Sequence, residues 1–296
     1  MLGYPSCPLC GNGTFLHHDY KFYSQFTCNS KKCSHSIFVP KPSSIDKASC
    51  ELLSGKLDFK RMRFPLFFII TALNLYFLNG ASTRRIAQFF NINFNVKVSH
   101  VTIHSWCKKF APIFLHKSNM LSTDLNLSDS DEWHTDETVI FINGKKHYLW
   151  FIIDSETRMV LSFNLSPSRE ASDAFSLFHS ASKFGCPSSI VTDRFPAYNI
   201  PTKTIFPNSK HIKVSSFNDD ISNNVIEAFN DTFKDWYKRK RGFKSFDSTN
   251  AFISMFIFHY NFLRPHYSLN NLSPAEVAGI SYNDVDKRNW LLSVFV

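Results

Sequence analysis

The sequence predicts an α/β core, a mixed five-stranded sheet with flanking helices, preceded by a small cysteine-bearing ribbon and a helical module. Three observations carry that expectation. Strand-like runs follow one another over about 133–142, 146–153 and 158–165, the first two joined by Asn143-Gly144, a strong hairpin signal. Helical and short strand-like runs then alternate, a pattern that builds a sheet with helices on its faces. Ahead of both stand two close pairs of cysteines and a set of helices with capped starts.

Length and composition set the bounds. At 296 residues the chain exceeds the roughly 150 residues of one domain, so more than one is expected. An apolar fraction of 44%, with 32 Phe and only 9 Gly, supplies a large aromatic core and argues against disorder. A net charge of +9 suits a polyanionic partner. The N-terminus has no basic segment followed by an apolar one, so no signal peptide is expected. The most apolar stretch, Phe64 to Leu78, is 15 residues long and holds Pro65, Thr71 and Asn74, whereas a membrane span needs about 20. It is expected as a buried core helix, with no membrane contact. Seven cysteines, four of them early, favour metal binding in a reducing compartment over a disulfide framework, which points to the cytoplasm.

Residues 1–40 read as the ribbon. Cys7-Pro8-Leu9-Cys10 is followed after 17 residues by Cys28 and, after four more, by Cys33. Two such pairs on a short β-rich stretch can set four thiolates tetrahedrally around one structural Zn²⁺; the other account is four unrelated buried cysteines. Gly11 and Gly13 supply the tight turn, Tyr20, Phe22, Tyr23 and Phe26 the strands, and His35 a spare ligand should Cys33 not bind. A unit this small depends on the metal to fold. Residues 41–62, with Pro42, serines and mixed charges, read as a linker.

Residues 63–117 read as a helical domain. An apolar helix at 64–78 closes at Asn79-Gly80, Ser82-Thr83 opens a second, and Ser99 caps a third over 100–110. Ile103, Trp106, Cys107 and Phe110 share one face of the third helix, leaving His100, Thr102, Ser105, Lys108 and Lys109 on the other. A helix-turn-helix module that meets DNA through His100, Thr102, Lys108 and Lys109 reads this way, and so does an ordinary helical hairpin with a solvated face. Pro112 is expected to limit the helix, and residues 118–131, rich in Ser, Asp and Asn, read as a second linker.

Residues 132–243 hold the sheet. After the three antiparallel strands come a helix over 169–184, short strands at 189–192 and 211–214, and a long helix over 223–241. That succession is the ribonuclease H-like order, and 244–296 follows as a C-terminal helical segment. Of the many acids here, Asp136 and Asp193 sit at ends of strand-like runs and Glu227 on the long helix, positions that can converge in an α/β sheet. Three oxygen ligands at one point suit Mg²⁺ or Mn²⁺. Two such ions, roughly 3.5–4 Å apart, activate an attacking oxygen and stabilise the leaving oxygen of a phosphodiester. Glu137, next to Asp136 in a strand, is expected on the opposite face, and Asp154 is expected to serve a turn. Helical spacing puts Asn223, Glu227, Asn230, Asp231, Lys234, Lys238 and Arg241 on one polar face. The same spacing fits a solvated helix with Glu227 in a surface ion pair.

Three motifs occur in order: Trp133-His134-Thr135-Asp136-Glu137-Thr138, then Val191-Thr192-Asp193 with Pro196-Ala197-Tyr198, then Asn223-Asn224-Val225-Ile226-Glu227. That order resembles the DDE-type insertion-sequence transposases of the retroviral-integrase-like superfamily. Thirty-three residues separate Asp193 from Glu227, close to that family's usual interval. Lys240-Arg241-Gly242-Phe243-Lys244 is similar to its arginine-glycine-phenylalanine signature, and the stretches Asn261 to His266 and Ser273 to Gly279 to its C-terminal end. The likeness runs from about Phe59 to Ile280, with the ribbon as an N-terminal extension found in some members. Arg194-Phe195 departs from the glycine and aromatic residue frequent there.

The resemblance implies that Asp136, Asp193 and Glu227 hold two Mg²⁺ or Mn²⁺ ions. Water then attacks a phosphodiester at an element end, and the freed 3′-hydroxyl attacks target DNA. The implied partners are double-stranded terminal inverted repeats and target DNA at the nucleoid. Contacts near the site fall to Asn223, Asn224, Lys234, Lys238, Arg241 and Lys244. Cutting two ends implies a homodimer or higher oligomer. A catalytically inactive descendant that only binds DNA is the alternative, and the presence of all three acids counts against it.

Overall fold

The computed structural model describes residues 4–281 except 20–22, 34, 41–62, 124, 126, 128–129, 215–223 and 241. The linker expected at 41–62, Tyr20, Phe22, Asn223, Arg241 and the chain beyond 281 therefore lie outside the described residues.

The ribbon is a three-stranded antiparallel sheet in the order β1 (Thr14–Asp19), β2 (Tyr23–Cys28), β3 (Ser36–Pro40). Among its described residues only Cys7, Thr14, Phe26 and Cys28 are buried, too few to hold a sheet by apolar burial alone.

Three helices follow: α1 (Leu66–Phe77), α2 (Thr83–Phe94) and α3 (His100–Leu121). The two capping serines act as expected, Ser82 accepting the Arg85 N–H and Ser99 the Thr102 N–H. Asn95, at φ 52°, closes α2 in the left-handed region. α1 is apolar on nearly every side, with Ile69, Ile70, Ala72, Leu73, Tyr76 and Phe77 buried, and no described helix is long and apolar enough to cross a membrane.

The expected stop at Pro112 does not occur. α3 continues through it to Leu121, into the stretch read as a linker. A mid-helix proline costs about 3 kcal/mol or more. Burial of Phe110, Ile113 and Phe114, roughly 1.5–3 kcal/mol each, offsets that.

The main sheet runs β6-β5-β4-β7-β8, with β4 (Glu132–Ile142), β5 (Lys145–Asp154), β6 (Val160–Ser166), β7 (Ser189–Thr192) and β8 (Lys210–Lys213). The β4–β5 and β5–β6 pairs are antiparallel, and β4–β7 and β7–β8 parallel. This is the ribonuclease H-like order, with β4 central. Asn143 and Gly144 both take positive φ, 50° and 74°, as a two-residue hairpin of this kind requires.

Alternation along β5 sends successive aromatics to opposite faces. Trp150 meets Tyr198 at 5.6 Å on the face covered by α4 (Ala171–Ala181) and α5 (Asn199–Ile205). Phe151 meets Phe229 at 4.7 Å and Phe233 at 5.4 Å on the face covered by α6 (Asn224–Lys238). Behind α6 lies α7 (Phe246–Phe258), whose Phe258 stands 4.7 Å from Phe114 of α3. The helical module and the sheet thus share one apolar core. On the far side, the ribbon's β3 packs against α4, with the His35 ring 5.9 Å from Phe175.

Candidate active site

The parallel pairing sets Glu132, Trp133 and His134 beside Ser189, Ile190 and Val191. Continuing that register brings Asp136 level with Asp193, one residue past the end of β7. Among the described residues, no strand continues along that side of β4 beyond Thr192, and it is bridged again only at Ile142 by Phe243, so the sheet has a notch between. The carboxyl end of a strand beside such a gap is where α/β sheets gather ligands.

Asp136 lies on the face of Phe151, its partner in β5, and therefore toward α6. Its Oδ2 accepts a 2.8 Å hydrogen bond from Nδ2 of Asn230. Burial, then the Glu137 charge and to a lesser extent Asp193, push its pKa up to about 7, against pulls from the Glu137 N–H and Lys234. Asp193 is more open, its side chain 42% exposed, and its Oδ1 accepts the Phe195 N–H at 2.9 Å. That turn forms despite Arg194-Phe195, and Phe195 has a further use: the Arg169 guanidinium lies 3.7 Å above its ring.

Glu137 takes the opposite face as expected, yet its carboxylate still reaches the site. One oxygen each of Asp136, Glu137 and Asp193 lie within 4.8 Å of one another. Alternation does send Glu137 to the α4 side, where its partner across the ladder is Trp150. The notch explains the rest, since side chains from both faces can reach round the unpaired edge of β4. Glu137 is buried there, ion-paired with Arg169 and accepting the Tyr198 hydroxyl. Arg169 also approaches Asp193 at 3.8 Å. No local pattern marks Arg169, which stands just ahead of α4.

Glu227 does not belong to that group of three. It is half-buried on α6, one helical turn before Asn230 and on the same face. The Asn230–Asp136 bond lays this face against the notch. Asn230 Oδ1 is buried without a hydrogen-bond partner among the described residues. An unused acceptor beside crowded carboxylates fits a cation site with water or ligand to complete it.

The other expected residues fall in two places. His100, Lys108 and Lys109 are exposed on α3, where Thr102 is tied to the Ser99 cap. Asn224 and Lys238 are exposed at the two ends of α6, Lys234 is half-buried between them, and Lys244 is exposed just beyond. Asp154 serves a turn as expected, accepting the Thr157 N–H at 2.8 Å, yet it is fully buried.

In the ribbon, the Sγ atoms of Cys7, Cys10, Cys28 and Cys33 form a second group within 4.8 Å, and His35 is not needed. Cys7–Cys33 and Cys10–Cys28 stand 3.7 and 3.4 Å apart. Four sulfurs at about 2.3 Å from a tetrahedral centre would stand roughly 3.8 Å apart, so the thiols are spaced to fit zinc. Gly11, at φ 70°, makes the turn that returns its N–H to the Cys7 carbonyl.

Residues 130–266 match a family described as a DDE domain, of the IS240-type transposases. Two similar curated proteins come from Staphylococcus aureus: the transposase for insertion sequence element IS257 in transposon Tn4003, and the transposase for insertion sequence-like element IS431mec of strain Mu50. Each is 28% identical over 143 residues, 48% of this chain and 61% of the relative, so the match spans about three fifths of their length. Among solved structures, the HTLV-2 integrase catalytic core domain in complex with magnesium (trimeric form) is 17% identical, with a TM-score of 0.40 over 52% of this chain and 99% of that one. The catalytic core domain of BIV integrase is 15% identical, with a TM-score of 0.39 over 50% and 93%. The fold assignment rests instead on the strand order itself. Residues 130–266 thus match a DDE domain of the insertion-sequence transposases, on a sheet of ribonuclease H-like order with the motif acids in sequence.

Proposed function

We propose that this chain is the transposase of its own insertion element. It binds the terminal inverted repeats as double-stranded DNA, hydrolyses phosphodiesters at the ends and joins the 3′-hydroxyls to target DNA. The observation that carries the reading is the meeting of Asp136 and Asp193 at the end of β7 under the polar face of α6. Asp136, Asp193 and Glu227 would hold two Mg²⁺ or Mn²⁺ ions. When bound, such ions supply activation of the attacking oxygen and charge neutralisation for the leaving one.

The chain's own side chains then have distinct tasks. Asn230 fixes the orientation of Asp136 through its amide. Arg169 holds Glu137 and steadies Asp193, and the Tyr198 hydroxyl fixes Glu137 from the sheet side. Lys234, on the face of Asn230 and Glu227, meets phosphate, joined by Asn224, Lys238 and Lys244 along the same helix and its exit and, as the sequence implies, by Asn223 and Arg241. His100, Thr102, Lys108 and Lys109 contact the repeat from α3. Cys7, Cys10, Cys28 and Cys33 hold one structural Zn²⁺. Two ends demand two active sites, hence a homodimer or higher assembly, acting in the cytoplasm on nucleoid DNA.

The test uses the full chain, a labelled duplex from the end of the encoding element, and Mn²⁺. Wild type should nick and join the duplex. Asp193→Asn should lower the rate by about 10³-fold or more, since it removes a metal ligand, while the binding isotherm stays unchanged. Wild-type binding without nicking would instead support a catalytically inactive DNA-binding descendant.

A further inference from the structure

The two ends of α6 have different surroundings. Beyond Lys238 the chain turns against the helical module and closes a basic trough with it. Its first recess, about 560 Å³, is lined by Arg84 and Arg85 at the start of α2 and by Lys238, Arg239 and Lys240. A second, about 420 Å³, shares Ser82, Thr83, Arg239 and Lys240 with the first and adds Lys108 of α3 and Lys244. Neither lining contains an acid. Among the described residues, none of Arg84, Arg85, Lys108 and Lys244 makes an ion pair, and all four are exposed. Like charges gathered without counter-charges repel one another, which an anionic occupant would relieve.

The walls are held rigidly. Trp236 Nε1 donates to the Tyr76 carbonyl at 3.1 Å, Arg239 Nη1 to Asn79 at 3.0 Å, and Lys240 Nζ to Tyr76 and Ala81 at 3.2 and 3.3 Å. Together they satisfy carbonyls left open at the C-terminal end of α1. Gly80, at φ 65°, keeps the floor low, because a Cβ there would come within 3.0 Å of the Arg239 guanidinium. The first residues of α2 and the cap of α7 also reach the lining, at Thr83 and Ser245.

We propose that this trough holds the sugar-phosphate backbone of duplex DNA beside the stretch read by α3, and so sets the distance from that stretch to the scissile phosphate. The inference rests on the reading of the chain as a transposase. Lys238 lies eight residues beyond Asn230 on α6, about 12 Å along the helix. That is three to four base pairs at about 3.4 Å each. DNA gripped in the trough is therefore positioned by the same rigid helix that carries Glu227 and orients Asp136.

The test is the salt dependence of binding of the full chain to a duplex from the end of the encoding element. Replacing Arg84, Arg85, Lys108 and Lys244 together with alanine touches only exposed side chains and spares the carbonyl-capping Arg239 and Lys240. The slope of log K against log salt should become shallower by three to four units, at about 0.9 per lost phosphate contact. A control carrying Lys203→Ala and Lys210→Ala, exposed on α5 and at the β8 edge of the sheet and in neither lining, should keep the wild-type slope. A steep wild-type slope retained by the four-site variant overturns the trough and leaves the transposase reading intact. Wild type that binds duplex with no salt dependence overturns both.

Discussion

The chain brings together two groups of side chains that could hold a metal ion, and does so in opposite ways. The four cysteines of the ribbon come from one short segment, and their sulfurs already stand at zinc-like separations. The acids of the sheet come from strands far apart in sequence, and an arginine and an asparagine occupy part of their bonding capacity. A closed set of four soft ligands suits a structural ion, and an open, unevenly partnered set of oxygens suits an ion that must also take substrate. The ribbon lacks a core without its ion. The sheet stands by its own aromatic packing and tolerates a costly cluster of charge.

The sharpest way to break that contrast is to remove metal. A chelator, or Cys10→Ser, should unfold the ribbon outright, because a structural zinc contributes about 10–16 kcal/mol to folding in comparable small units. Hydrogen exchange should then show the amides of β1–β3 losing protection while those of β5 keep theirs. Protection of the ribbon that survives chelation would mean that its fold does not depend on the ion.

The same contrast accounts for what the sequence revealed. The cysteine pairs, the Asn143-Gly144 turn and the capping serines are local signals, each decided within a few residues, and all appear where expected. The strand order was legible because alternation and helical periodicity are local as well. Alternation gives the face of Glu137 but not its reach round an unpaired edge, which exists because β7 stops one residue before Asp193. Arg169 was invisible because its role depends on a stack over Phe195 and an ion pair across the sheet. Pro112 was overweighted, since the apolar contacts that carry α3 past it come from α7, more than a hundred residues later.

A second prediction follows from the crowding at the notch. Asp136 has a pKa of about 7 in the folded chain, against about 3.9 when unfolded. Between those values the folded, metal-free chain holds the extra proton. Its contribution to stability is therefore full below pH 4 and lost as pH rises through 7. At pH 8 the ionised, buried carboxylate should cost on the order of 4 kcal/mol. Asp136→Asn should thus raise the Tm of the metal-free chain at pH 8 and leave it nearly unchanged at pH 4. Mg²⁺ should stabilise wild type but not the variant. Replacing a ribbon cysteine has the opposite sign, so equal Tm values for wild type and Asp136→Asn at pH 8 would erase the distinction between the two sites.

The smallest effect decides which glutamate completes the acidic site. Glu137 already lies with Asp136 and Asp193, but both its oxygens are engaged, by Arg169 and by Tyr198. Glu227 stands outside that group, on the helical face that Asn230 presses against the notch. If Glu227 is the ligand and Glu137 only orients its neighbours, Glu227→Gln should be as damaging to strand cleavage as Asp193→Asn. Glu137→Gln, like Arg169→Lys, should then lose about 10–100-fold, the usual effect of removing a group that orients a ligand. Metal titration separates the roles further. Glu137→Gln should still saturate with Mn²⁺ at a higher concentration, whereas Glu227→Gln should not recover at any. The reverse ranking would transfer the third ligand to Glu137, and the polar face of α6 would then serve only to bring phosphate to the notch.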